Sequence, residues 1–258
     1  MSGQDDPEAG APKIMTVSSA RDVLAGLIRD YPLPECPTEA RELRQRVPNY
    51  LNLCGYLESV CPKNGRLLSV ECESGLLEML LKREYGFESM AGISSSPSPG
   101  LTRRLAAFDI RIIPCRVDRD PIPEKDGAFT GILLPRVREH LRSGLPQALA
   151  ECRRVLTSGG RLVLGTTHVA EFGRGISLRK RNRMAWSRDR STLLMGKPGN
   201  GERTGEPTER ELTRLLGEAG FLIDKVCLVS GRLRTWPSLF SSLWPRGGRQ
   251  MYFIARRP

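Results

Sequence analysis

No stretch of this sequence approaches the ~18 apolar residues that a membrane-crossing helix requires, so no transmembrane segment is expected. The opening residues, Met1 to Pro12, are polar and acidic and lack the apolar core of a secretory leader. The seven cysteines (Cys36, Cys54, Cys61, Cys72, Cys115, Cys152 and Cys227) are odd in number and never spaced as Cys-x-x-Cys. That argues against a disulfide framework and a structural zinc site, and fits a reducing compartment. Histidine is scarce, with only His140 and His168 present. No nucleophile–base–acid triad and no metal cluster can be assembled around them. These absences predict a cytoplasmic protein, or one peripheral to a membrane, with no metal site.

A chain of 258 residues can bury one α/β domain with additions, or at most two small domains. Hydrophobic residues at 39% and charged residues at 27% are ordinary for a globular chain. The net charge of +11 is not ordinary, and it gathers in two places. Gly173 to Arg190 carries seven basic residues and one acid, with Trp186 among them. Arg232 to Arg249 interleaves arginine with Trp236, Phe240, Leu243 and Trp244. Residues 174–190 and 232–249 are therefore candidate contacts for anionic lipid, for a phosphate-bearing ligand or acidic glycan, or for nucleic acid. Nucleic acid is the less favoured partner, because no RNA- or DNA-binding signature accompanies the charge. A solvated basic loop is the plain alternative.

Residues 1–16 have the composition of a disordered tail. Ser18 or Ser19 is the expected cap of a helix carrying Val23, Leu24, Leu27 and Ile28 at helical spacing. A second helix is expected from Thr38, interrupted at Pro48, whose ring removes a ladder hydrogen bond. From Arg66 onward strands and helices alternate. Strands are expected over about 66–71, 88–93, 110–115, 128–134, 161–166, 222–229 and 250–255. Helices fall between them, over about 75–85, through Leu101 and Leu105, through Leu145, Leu149 and Val155, and from the capping box Thr208-Glu-Arg-Glu211 to Glu218. Connections too long for hairpins imply a mostly parallel sheet with helices on both faces.

The chain is organised around Leu67-Leu-Ser-Val-Glu-Cys-Glu-Ser-Gly75, a strand and small-residue turn running into a helix. Such a unit aims backbone N–H groups at a ligand. It resembles the first motif of class I S-adenosylmethionine (SAM)-dependent methyltransferases of the type 11 kind, usually close to V-L-D-x-G-C-G-x-G. The apolar strand, Cys72 and Gly75 match, while Ser69 replaces the acid and Glu71 and Glu73 replace glycines. Four later stretches keep the family's order. Asp118 to Phe129 is similar to D-x-x-x-L-P-F-x-D-x-S-F-D, and Glu139-His-Leu141 to E-H-L. Arg154 to Gly160 is similar to R-V-L-K-P-G-G, and Glu211 to Phe221 to E-L-x-x-L-L-x-x-A-G-F. The resemblance implies a Rossmann-like α/β fold with a seven-stranded, mostly parallel sheet. It further implies N-terminal helices over 17–61 and a methyltransferase-like domain over 62–258, with a basic insert at about 167–207.

The site follows from the same resemblance. Ser69, Glu71, Cys72, Glu73 and Gly75 would border the methionine part of SAM. Ser94 stands where the family has an acid for the ribose hydroxyls, and serine offers one hydrogen bond where a carboxylate offers two strong ones. Asp118 would receive the adenine amino group, with Arg116 at the alternative spacing. His168, after the fifth strand, is the first candidate general base and His140 the second. Two functions are open. One is methyl transfer from SAM to a small-molecule, sugar or lipid-linked glycan acceptor, with the protein mainly positioning the acceptor. The other is a methyltransferase-like binding or scaffold protein that has lost SAM.

Overall fold

The structure, a computed structural model, describes residues 15–34, 36, 39–137, 144–168, 207–230 and 249–258. The first 14 residues of the expected tail, the loop bearing His140, and both basic segments up to Gly248 lie outside the described residues.

Helix α1 (Val17–Asp30) is capped by Thr16 and not by the expected serines. Thr16 is extended (φ −80°, ψ 158°), and its hydroxyl accepts the Ser19 N–H at 3.1 Å. Ser19 thus supplies the amide that is capped. Helix α2 runs unbroken over Glu39–Val60 with Pro48 inside it, correcting the expected interruption. A proline there costs about 3 kcal/mol. Val47, Leu53, Cys54 and Leu57 are fully buried on the same helix and Tyr50 nearly so. At ~1.5–3 kcal/mol for each large apolar side chain, their burial outweighs the lost bond.

The remaining elements are β1 (Arg66–Ser69), α3 (Leu76–Glu84), β2 (Ser89–Ser94), α4 (Pro99–Ala106), β3 (Ile110–Pro114) and β4 (Phe129–Leu134). After them come α5 (Leu145–Val155), β5 (Leu156–His168), α6 (Glu209–Glu218), β6 (Leu222–Ser230) and β7 (Arg249–Arg256). The expected capping box at α6 forms, with Thr208 Oγ1 accepting the Glu211 N–H at 3.2 Å. The strands make one sheet in the order β3-β2-β1-β4-β5-β7-β6. All pairings out to β5 are parallel, and β7 is antiparallel to both of its neighbours. β5 starts earlier than expected, because Leu156 pairs with Phe129 before a register shift; Gly159 keeps the left-handed backbone (φ 74°) of the turn.

Successive strand residues feed opposite cores. Leu67 and Val163 pack with α1–α4, while Leu68, Leu162 and Leu164 pack with α5 and α6. Burial on both faces explains why these strands read as apolar runs. The order reverses between β1 and β4, and in open α/β sheets ligands bind at the carboxyl ends of the strands at such a switch point.

Arg104, on α4 and 2% exposed, fixes the N-terminal helices over that point. Its guanidinium donates to both Glu39 oxygens (2.5 and 2.9 Å), to the Tyr31 carbonyl (2.8 Å) and to the Ser74 carbonyl (2.7 Å). One buried cation therefore joins the end of α1, the start of α2 and the turn after β1.

Candidate cofactor-binding site

The turn from Val70 to Gly75 is bonded into the sheet on both sides. The Val70 N–H donates to the Leu133 carbonyl of β4, and the Cys72 N–H to the Ile93 carbonyl of β2, each at 2.8 Å. Glu71 takes a left-handed backbone (φ 64°), and Gly75, which caps α3, does so at φ 76°. The turn therefore keeps a glycine-type path although a glutamate occupies it. A β-carbon on Gly75 would stand 2.8 Å from Leu105 Cδ2. One on Gly92 would stand 2.5 Å from Cys72 Sγ, so Cys72 lies in space that Gly92 leaves open.

The first turn of α3 brings Glu78 beneath this loop. It is 2% exposed, and its Oε1 accepts from the Ser69 hydroxyl (2.6 Å) and the Cys72 thiol (3.3 Å). Burial pushes its carboxyl up from the ordinary range, and the charge of Glu73 adds to this; the Ser69 and Cys72 hydrogen bonds only partly oppose it. Burial also drives the Cys72 thiol well up, with Glu78 reinforcing it. The thiol is therefore no nucleophile at neutral pH.

The Glu78 shift has a measurable sign. A carboxyl raised in the folded state binds more protons folded than unfolded, between the unfolded value of ~4.3 and the higher folded one. Its contribution to stability is full below that window and is lost as pH rises through it. Glu78→Gln keeps a neutral acceptor of the same size. The variant is expected to melt with the parent protein in acid and above it in alkali, as followed by thermal denaturation across pH. A constant difference at every pH would show that Glu78 does not change protonation on folding.

Helix α2 supplies the facing wall. Arg46, Asn49 and Tyr50, at spacing i, i+3, i+4, share one helical face and border the cleft. Tyr252 of β7 anchors this wall, donating its hydroxyl to Asn49 Oδ1 (2.5 Å) and accepting from Asn52 Nδ2 (3.3 Å). Arg46 forms an ion pair with Glu73, and Arg136, just after β4, approaches the other Glu73 oxygen at 3.7 Å. Burial works against the charge of Arg46, but Tyr50 and Glu73 outweigh it and hold the guanidinium protonated. Glu71, Glu73 and Glu78 form the opposite wall. Counted together with its solvent-open mouth, the cleft spans about 520 Å³.

Five of the expected cofactor residues, Ser69, Glu71, Cys72, Glu73 and Gly75, thus gather at the end of β1. Glu71, Glu73 and Gly75 line the cleft, whereas Ser69, Cys72, Ser94 and Asp118 do not. Ser94 ends β2, 8% exposed, with its carbonyl accepting the Cys115 N–H at 3.1 Å. Asp118 sits in the turn after β3, beside Arg116 (3.5 Å) and Arg119 (3.3 Å). His168 closes β5, in register with Arg249. Among the described residues no three potential ligands come together for a metal, and no helix is long and apolar enough to cross a membrane.

Arg46, Asn49, Tyr50, Glu78 and Arg136 were not foreseen from the sequence. Only Glu78 carried a signal there, as the single charge within Leu76-Leu-Glu-Met-Leu-Leu81.

The sheet order and a cleft at its switch point define the Rossmann-like class I methyltransferase fold. A family profile described as "Methyltransferase domain" matches residues 68–164 of the chain. Solved structures agree in fold. The 1,6-didemethyltoxoflavin-N1-methyltransferase of Burkholderia thailandensis, with 1,6-didemethyltoxoflavin and S-adenosylhomocysteine bound, is 14% identical with a TM-score of 0.57, over 99% of this chain and 98% of that one. A SAM-dependent methyltransferase of Thermotoga maritima, described as a possible histamine N-methyltransferase, is 18% identical with a TM-score of 0.51, over 91% and 100%. The [4+2]-cyclase SpnF is also 18% identical, with a TM-score of 0.55, over 83% and 82%. No curated protein matches the chain significantly in sequence. The solved structures speak for the fold, and function has to be argued from the site.

Proposed function

We propose that the protein is a SAM-dependent methyltransferase with a remodelled cofactor turn, acting on a small-molecule, sugar or lipid-linked glycan acceptor. The observation that carries the reading is the matched charge at the turn. The carboxylate of Glu73 faces Arg46 and Arg136, so it does not stand as an unbalanced negative charge against a ligand carboxylate. The two walls fit the amino-acid end of SAM: Arg46, Asn49 and Tyr50 can donate to a carboxylate, and the acids can receive an ammonium. When bound, SAM supplies an activated methyl group. The chain holds the cofactor at the β1 turn and orients the acceptor, with His168 the proposed general base at the end of β5.

Calorimetric titration with SAM and S-adenosylhomocysteine tests the reading. Micromolar binding is expected, and no heat up to millimolar ligand would overturn it. Glu71→Gly should relieve a left-handed non-glycine residue, worth ~1–2 kcal/mol. The expected result is a higher melting temperature together with tighter SAM binding.

A second reading, a binding or scaffold protein without catalysis, is favoured by Glu71 itself. Its 9%-exposed side chain borders the cleft where a glycine would leave room. Absence of SAM binding, with retention on vesicles containing anionic lipid, would select it. The lipid or phosphate ligand proposed for residues 174–190 and 232–249 belongs to both readings, as do the proposed cytoplasmic location and the division into 17–61 and 62–258.

A further inference from the structure

We propose that Glu78, on helix α3, is the residue that selects the ammonium group of the bound ligand. The inference rests on the SAM reading above and names the specificity residue of that site.

The C-terminal end of β1 is where this sheet presents its ligand, and there the strand ends in an uncharged side chain, Ser69. The hydroxyl of Ser69 points not to an independent partner but to Glu78 Oε1, 2.6 Å away. Cys72, across the turn, sends its thiol to the same oxygen at 3.3 Å. Two short side chains of the motif therefore hold one carboxyl in place, while Glu78 also borders the cleft. A carboxyl this buried costs stability unless something compensates it. Glu78 lines the same cleft as Arg46 and Asn49, so a ligand there meets a carboxyl from α3 and donors from α2, which suits a cation with a companion carboxylate. Asn49 strengthens the assignment, because its Oδ1 already accepts from Tyr252 and its side-chain amide carries two donors. The ligand class is thus one with an α-amino acid end.

The titratable groups around Glu78 are Glu73 and Cys72 from the turn and Tyr50 and Cys54 from α2. Burial favours the protonated carboxyl. An arriving ammonium favours the carboxylate, and the proton leaves to the buffer. Binding should therefore release a proton in mildly acidic solution, seen as a calorimetric heat that varies with the ionisation enthalpy of the buffer.

The test titrates S-adenosylhomocysteine and its analogue lacking the amino group into the parent protein and into Glu78→Gln. The parent is expected to prefer the amine by roughly 10–100-fold, the range of one charge-assisted bond. Glu78→Gln should lose that preference and the proton release while binding the deaminated analogue as before. A Ser69→Asp/Glu78→Gln double variant, which moves the acid to the strand, should recover the preference. If the parent binds both ligands equally, or if Glu78→Gln discriminates as the parent does, the inference is overturned and the SAM reading stands. If the parent binds neither ligand, both fall together.

Discussion

Replacing Arg104 with methionine is expected to destabilise the protein by about 3–5 kcal/mol, the loss seen when one partner of a buried ion pair is removed. For a chain of 258 residues that is a fall in melting temperature on the order of 10 °C. The guanidinium makes four hydrogen bonds to three separate segments, and methionine leaves Glu39 as a buried carboxylate without its cation. The double variant Arg104→Met/Glu39→Leu separates the causes. It removes both charges and should regain most of the loss, because a well-packed apolar pair often equals a buried ion pair. A fall of less than ~1 kcal/mol for the single variant, by thermal or urea denaturation, would show that the pair is not holding the N-terminal helices.

The second large effect is expected at Gly75. Valine there must adopt φ 76°, at about 1–2 kcal/mol. It must also push into Leu105 and Leu101, whose atoms would lie 2.8 and 3.2 Å from the new β-carbon. Leu105 is fully buried and cannot swing into solvent, so overpacking adds about 1–3 kcal/mol. Because Gly75 caps α3, the strain also displaces the helix turn that carries Glu78. Gly75→Val should therefore lose SAM binding by more than tenfold even at a temperature where it stays folded, whereas Gly75→Ala should show the backbone cost with less of the packing cost. Equal affinity for the parent and the valine variant would place the ligand elsewhere.

The sheet was legible because its strands are buried on both faces: Leu67 and Leu68, or Leu162, Val163 and Leu164, announce themselves as apolar runs whichever way they point. The α6 cap was legible because it is a local bond, Thr208 to Glu211. Pro48 was misread because a local rule competes with packing, and the helix buries too much apolar surface to break there. The site was only half legible. A motif shows that Glu73 replaces a glycine, but not that Arg46, 27 residues upstream, balances it. Glu78 stands out in sequence only as a lone charge in an apolar run, and only the tertiary fold shows that it is buried against Ser69. Arg46, Asn49 and Tyr50 share a helical face, yet nothing in the α2 pattern tells which cleft that face meets.

β7 comes after β6 in the chain but lies between β5 and β6 in the sheet. During synthesis β6 therefore emerges before the strand it pairs with exists, and this edge of the sheet must be the last to close. Such long-range pairing is slow, since loop-closure entropy is spent before any contact forms. Tyr252 arrives with β7, and through it Asn49, 203 residues away, is set in the cleft wall. The segment 68–164 that carries the family match can thus be complete on the ribosome while the cleft is still unfinished. Ligand capture becomes a sign of finished synthesis: a nascent chain stalled before Arg249 should hold no SAM.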